Sequence, residues 1–186
     1  KRNLGDVLVL EKEDHYGEHA SGRNSGVIHS GINYLPGTIK AEMCVKGNKL
    51  LREYCKLNNI PMNECGTLVI ARNSQEEKTL YTQYAMGIHS GVQGLKIISK
   101  EELKEREPEV TGKKALFSPS GATVDSKKLL EAIIEESKSL GAEFLLNTKV
   151  EHIENTAVVA GHGIIYGKHI INCAGLYADK IAHLCN

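Results

Sequence analysis

Gly22-Arg23-Asn24-Ser25-Gly26-Val27-Ile28-His29-Ser30-Gly31 decides how this chain is read. It follows closely on an apolar run that ends in an acid, Val7-Leu8-Val9-Leu10-Glu11. Four consecutive apolar residues predict a parallel strand buried on both faces. An acid at the end of such a strand accepts hydrogen bonds from a ribose diol. A loop of small and amide side chains lets backbone N–H groups approach a pyrophosphate or an aromatic ring. Strand, acid and loop together point to a dinucleotide site. The usual glycine-rich turn upstream of the acid is absent.

Composition narrows the alternatives. The 186 residues are enough to bury a core and fit one or two domains. Lys plus Arg (23) equals Asp plus Glu (23), which argues against nucleic acid as a partner. No apolar run approaches the ~18 residues of a membrane helix. The five cysteines, Cys44, Cys55, Cys65, Cys173 and Cys185, are odd in number and form no CxxC pair. Reduced thiols fit better than disulfides or a metal centre, and Cys44, Cys55 and Cys173 read as small core residues. No histidine pair has defensible metal spacing. A cytoplasmic location is expected.

Outward from the opening stretch, the chain reads as α/β, then an insertion, then α/β again. Lys1–Leu4 before Gly5 reads as the last turn of a helix. Residues 6–11 are a strand and 12–38 mostly loop, long enough to expect a function. Residues 39–58 read as a helix with Met43, Leu50, Leu51, Tyr54 and Cys55 on its apolar stripe. A strand follows at 66–71. Ser74–Glu77 and Ser99–Glu102 read as capping boxes that open two helices, with a short strand from Leu95 to Ile98 between them. Residues 115–125 read as a hairpin around Pro119 and Gly121. A helix from Ser126 to Leu140 places Leu129, Ile133 and Leu140 on one side and stops at Gly141. Strands are expected at 144–146, within 148–166 with turns at Asn155 and Gly161, and at 168–173, the last buried. The pattern from Tyr177 to Leu184 is helical. Both ends read as cut, as in a piece of a longer chain.

Each candidate site residue has a plain reading beside the functional one. Glu11 is either a surface acid or the ribose acceptor. Ser21, Gly22, Arg23, Asn24 and Ser25 are either turn formers or donors to phosphate and ring oxygens. His29 is either a structural hydrogen-bonder or a partly buried base, since imidazole titrates near neutrality. Tyr34 is a candidate for the same cavity. Ala174-Gly175 either ends a core strand or marks where a ligand meets the sheet. Val150 is a candidate for backbone contact with adenine. Lys40 and Arg23 are the cations available to substrate carboxylates.

Four segments carry a family resemblance: HASGRNSGVIHSGINYLPGTIKAEMCVKGNKLLREYC (19–55), MNECGTLVIA (62–71), SGATVDSKKL (120–129) and IINCAGLYADKIAHL (170–184). In this order they resemble the FAD-dependent L-2-hydroxyglutarate oxidase/dehydrogenase family, among the D-amino-acid-oxidase-like flavoproteins. The resemblance implies a Rossmann-like FAD-binding domain interrupted by a substrate domain with a mixed sheet. The expected division is 1–45 and 126–186 for the FAD-binding domain and 46–125 for the substrate domain. It implies FAD as cofactor and oxidation of a 2-hydroxy acid to a 2-oxo acid, with hydride passing to the flavin. By position, Glu11 matches the ribose acid. Ser21, Arg23, Asn24 and Ser25 match the loop over pyrophosphate and flavin. Val150 matches the adenine contact, Ala174 and Gly175 the small pair near the cofactor, and His29 the candidate base.

The family's first strand and glycine turn would precede Lys1, and its C-terminal part would follow Asn186. Oxygen or a quinone is the expected electron acceptor, and peripheral contact with a membrane rests on family analogy. Related scaffolds act on glycerol 3-phosphate or amino acids, and a non-catalytic binding remnant is the reading from another class.

Overall fold

The structure, a computed structural model, describes residues 6–161 and 163–185. The helical turn expected at Lys1–Leu4 lies outside the described residues.

β1 (Leu8–Leu10) precedes a long loop in which Val27–Ile28 forms β2, a short strand the sequence reading leaves as loop. Helix α1 (Ile39–Leu57) opens on Thr38, whose hydroxyl accepts from the Ala41 N–H at 3.2 Å. β3 (Met62–Asn63) and β4 (Thr67–Ala71) lead to α2 (Ser74–His89). Its cap is Asn73 rather than the expected Ser74: the Asn73 Oδ1 accepts from Gln75 and Glu76, and Glu76 reaches back to the Arg72 N–H at 2.8 Å. The Asn73 amide oxygen, one residue earlier, reaches two of the free N–H groups of the first turn at once.

β5 (Lys96–Ser99) runs into α3 (Lys100–Arg106), capped as expected by Ser99 on the Glu102 N–H. β6 (Lys114–Ser118), β7 (Ala122–Val124) and α4 (Ser126–Ser139) follow, with the Asp125 carboxylate capping Lys127 and Lys128. Then come β8 (Glu143–Leu145), β9 (Val150–Glu154), β10 (Ala157–Ala160) and β11 (Gly163–Tyr166). The terminal helical pattern is a 3₁₀ turn, Gly175–Tyr177, followed by α5 (Ala178–Ala182).

Two compact units emerge: Lys1–Asn24 with Leu130–Asn186, and Ser25–Leu129. Their boundaries fall after residues 24 and 129, against 45 and 125 in the sequence reading.

In the unit of residues 25–129, β6 does not pair with β7 as a hairpin. Instead Met62–Ala71 lies antiparallel to Lys114–Val124 as one ribbon. Met62 faces Val124 and Asn63 faces Thr123, whereas Thr67 faces Ser118 and Ala71 faces Lys114. The register slips by one residue between the halves. At the slip the Gly66 N–H donates to the Gly121 carbonyl at 2.9 Å. Gly66 has φ +78°, and a Cβ on Gly121 would come within 2.9 Å of the Gly66 backbone. Two antiparallel sheets result, β4-β6-β5 and β2-β7-β3, where the resemblance implies a mixed one.

The β4-β6-β5 sheet is covered on both faces. Leu80 of α2 packs with Ala71, Leu116, Leu95, Val92 and Ile32. Leu103 of α3 packs with Ile98 and Ala115. Burial of this kind stabilises by about 1.5–3 kcal/mol for each large side chain. On α1 the buried residues are Ala41, Asn48 and Cys55; of the expected stripe Cys55 is buried, Leu51 and Tyr54 are half-buried, and Met43 and Leu50 are exposed.

In the other unit β1 and β8 pair in parallel, and β9, β10 and β11 form an antiparallel sheet with the expected turn at Asn155 (φ 53°). Three sequence readings are corrected here. Val7, Leu8 and Val9 are not buried on both faces: each is more than a third exposed, because β1 has a ladder partner on one side among the described residues. Residues 168–173 form no strand, for want of a partner, and Ile171 and Cys173 are exposed. On α4 the buried side chain is Ile134, while Ile133 and Leu140 face out. Of the cysteines, Cys55 is buried and Cys44 half-buried. Among the described residues no helix is long and apolar enough to cross a membrane.

Candidate functional site

His29 continues the line of β2. Val27 and His29 are exposed while Ile28 and Ser30 are buried, the alternation of an extended chain. The imidazole is therefore exposed on this unit, not partly buried. The β2 register is set by Gly26, where a Cβ would meet the Val124 carbonyl oxygen at 2.4 Å, and by the Val124 N–H donating to the Gly26 carbonyl at 2.8 Å. The His29 main chain is held from α1. Asn48 Nδ2 donates to the His29 carbonyl at 3.0 Å and to the Ser120 carbonyl at 2.8 Å. One buried amide thus ties α1, the His29 segment and the β6–β7 corner. Cys44 Sγ also donates weakly to the His29 carbonyl, at 3.5 Å. Burial pushes the Cys44 thiol above its ordinary range, which disfavours a nucleophilic thiolate there.

Sequence reasoning missed Asn48. Its signal was a polar residue spaced seven from Ala41 and seven from Cys55 on the helix, the pattern of a buried stripe. In the same unit Lys40 Nζ lies 4.6 Å from the Tyr34 ring centroid, so these two candidates are brought together.

Glu11 sits at the C-terminal end of β1. Its N–H donates to the Leu145 carbonyl at 2.9 Å, and its carbonyl accepts from Thr148 at 2.8 Å. This places Val150, two residues on, in the same unit. The Glu11 Oε1 accepts from the Glu13 N–H at 3.0 Å; among the described residues Oε2 takes no hydrogen bond. Beyond it the loop folds on itself. The N–H groups of Gly22 and Arg23 both donate to the His19 carbonyl, and a Cβ on Gly22 would meet the Gly17 oxygen at 2.0 Å. Asn24 Nδ2 donates to the carbonyls of Ala20 and Ser21, the turn-forming reading, and Arg23 pairs with Glu18 at 3.0 Å on the surface. Ser21 and Ser25 are exposed.

Ala174 and Gly175 lie in a turn rather than at a strand end. Asn172 closes that turn, accepting from the Ala174 N–H at 3.1 Å and donating to the Ala178 carbonyl at 2.8 Å. Two residues after Gly175 the Tyr177 ring meets the segment that follows Glu11: Lys12 Nζ lies 4.9 Å from its centroid and His19 packs edge-on at 5.6 Å. Lys12 and His19 also share Glu13. Lys12 holds the Glu13 carboxyl below its usual range, with His19 adding to the effect.

The residues of the first unit fit a flavin dinucleotide at its adenosine end. A half-buried carboxylate ends a parallel-paired strand, with one oxygen pinned by the backbone and the other open to a hydroxyl. Residues in the two units divide as follows: Glu11, Ser21, Gly22, Arg23, Asn24, Val150, Ala174 and Gly175 in one, Ser25, His29, Tyr34 and Lys40 in the other.

Known proteins resemble this chain over nearly its whole length. A family model described as DAO, FAD dependent oxidoreductase, matches residues 1–186. The chain is 37% identical over 182 residues to the L-2-hydroxyglutarate dehydrogenase of Indibacter alkaliphilus, covering 96% of this chain and 46% of that protein. It is 34% identical over 190 residues to the glycerol 3-phosphate dehydrogenase of Caloramator mitchellensis, covering 99% and 39%. Among solved structures it resembles dithionite-reduced L-alpha-glycerophosphate oxidase from Mycoplasma pneumoniae with FAD bound. The TM-score is 0.87 at 26% identity, over 96% of this chain and 50% of that one. The chain spans less than half the length of the curated relatives it matches.

Proposed function

The chain belongs to the family of FAD-dependent oxidoreductases, and we propose that it is part of an enzyme that oxidises L-2-hydroxyglutarate to its 2-oxo acid. The observation that carries this reading is its 35–37% identity to several L-2-hydroxyglutarate dehydrogenases across 96% of its length. FAD, when bound, supplies the acceptor for the two electrons and the hydrogen removed from the alpha carbon. Glu11 accepts the ribose hydroxyls through its open oxygen. The 21–25 loop offers Arg23 and small polar side chains to the pyrophosphate and ring. Val150 meets adenine through its backbone, and Ala174-Gly175 leaves room for close approach.

In the other unit His29 takes the substrate hydroxyl proton. Asn48 fixes its backbone. Lys40, steadied by the Tyr34 ring, supplies charge for a substrate carboxylate. In this reading the FAD-binding domain is 1–45 and 126–186 and the substrate domain 46–125, and His29, Tyr34 and Lys40 of the former also serve the substrate. Oxygen or a quinone then takes the electrons from the reduced enzyme.

The test is a visible spectrum of the purified full-length protein before and after anaerobic addition of L-2-hydroxyglutarate. A flavin band that bleaches supports both cofactor and substrate. A flavin band that persists removes this substrate, and no band removes the cofactor. A second reading, oxidation of glycerol 3-phosphate, is favoured by the 34% identity to the Caloramator enzyme. Bleaching by glycerol 3-phosphate, and not by L-2-hydroxyglutarate, selects it.

A further inference from the structure

We infer that Tyr177, gripped by Lys12 and His19, is a positioning residue that sets the Ala174-Gly175 turn relative to Glu11, resting on the FAD reading above. Among the described residues the turn has few other hydrogen bonds or ring contacts to place it. Residues 168–173, which lead into it, make no ladder with any strand among the described residues. Its internal bonds, from Asn172 to Ala174 and Ala178 and from the Tyr177 N–H to the Ala174 carbonyl, give it shape without attaching it elsewhere. The attachment on one side is the Tyr177 ring. On the other side Leu184 accepts from the Ile153 N–H at 3.1 Å, beyond α5.

The ring is held from several directions. Lys12 Nζ lies 4.9 Å from its centroid, Lys180 Nζ 5.2 Å, and the His19 imidazole meets it edge-on. Lys12 is itself anchored, bonding Glu13 and lying 2.9 Å from His19 Nε2. Lys12 is also the residue directly after Glu11. The acid for one end of the ligand and the small pair for another are thus linked through the Tyr177 ring. A cation–π contact at an exposed site is worth a factor of about two to five in an equilibrium. Rearranging which residue holds the turn therefore changes cofactor affinity without touching the cofactor.

The experiment uses the full-length protein and two readouts. Amide hydrogen exchange over residues 172–178 is followed in the FAD-free protein, and FAD affinity is measured by flavin fluorescence. Tyr177→Leu and Lys12→Met are compared with Tyr177→Phe and Lys12→Arg, which keep the ring and the cation. Exchange about two- to fivefold faster and FAD binding weaker by a similar factor in the first pair, with both restored in the second, is the expected result. Unchanged exchange in Lys12→Met and Tyr177→Leu overturns the inference. So does equal disturbance by Tyr177→Phe. Should Tyr177→Leu fail to fold, the Lys12 pair decides alone. If the wild-type protein binds no FAD, the cofactor reading fails, and the exchange arm still decides the grip.

Discussion

Asn48 and His29 are joined across nineteen residues of chain by one hydrogen bond, Nδ2 to carbonyl, at 3.0 Å. The same nitrogen serves Ser120 at 2.8 Å. The donor is buried and both acceptors are main-chain carbonyls, so they lose their shared partner together if the amide is removed. Asn48→Ala is expected to cost about 1–3 kcal/mol of stability, read from urea unfolding. It should also lower turnover, because the His29 backbone is released. Stability unchanged within about 0.5 kcal/mol would show that the bridge carries no weight.

His29→Ala tests the base itself. In the full-length enzyme turnover should fall by about 10²–10⁴-fold while bound FAD stays at the wild-type level. Near-normal turnover removes His29 from the chemistry.

Glu11→Gln keeps size and removes charge. A hydrogen bond to a charged group contributes about 1.5–3 kcal/mol, so FAD affinity should drop by roughly 10- to 100-fold. Catalysis at saturating FAD should change little. Wild-type affinity in Glu11→Gln would send the ribose elsewhere.

Gly66 tests the register slip in the ribbon. It has φ +78°, and an added Cβ would approach Phe117 Cε2 to 2.5 Å. Gly66→Ala therefore meets both backbone strain and a side-chain clash, and should destabilise by more than about 1 kcal/mol. Gly37 also has a positive φ (79°), but nothing lies within 4 Å of its Cβ position, so Gly37→Ala isolates the strain alone. Equal effects of the two substitutions would mean that the Phe117 contact relaxes freely.

Glu13 gives the pH dependence. Lys12, and next His19, hold its carboxyl below the ordinary value of 4.5 in the folded chain. A carboxylate depressed on folding contributes stability above its unfolded pKa and loses it as pH falls through the folded one. Acid should therefore loosen the loop at residues 12–19 only below about pH 4.5. Titration of Glu13 by NMR should show a midpoint below that value, moving up in Lys12→Met. A midpoint at or above 4.5 in the wild type contradicts the pairing.

Much of this is legible in the sequence. The apolar run into Glu11, the Ser99 cap and the extent of α1 are local signals, and local physics placed them where expected. The family resemblance pointed to FAD and to an L-2-hydroxyglutarate relationship, and the family model and relatives agree. What the sequence hid depends on partners far along the chain. Pro119 and Gly121 look like a hairpin turn, yet the pairing of β7 is decided by β2 and β3. Met43 and Leu50 look like core residues, yet α1 turns Ala41, Asn48 and Cys55 inward. Residues 168–173 have strand-forming side chains, but a strand needs a neighbour to bond. The roles of Asn48 and Tyr177 escaped for the same reason: each acts through contacts with residues distant in sequence.

The one-residue slip at Gly66 and Gly121 has a further consequence, one of parity. Side chains alternate in and out along a strand, so a one-residue shift exchanges the two faces. Deleting Cys65 would present Val69 and Ala71 where Leu68 and Ile70 now pack, unless the slip were undone. Leu103 would then face a different surface from the one it fills. Length between Asn63 and Thr67 is thus far less tolerant of change than the residues themselves, and homologous insertions in this ribbon should arrive in pairs or sit outside it.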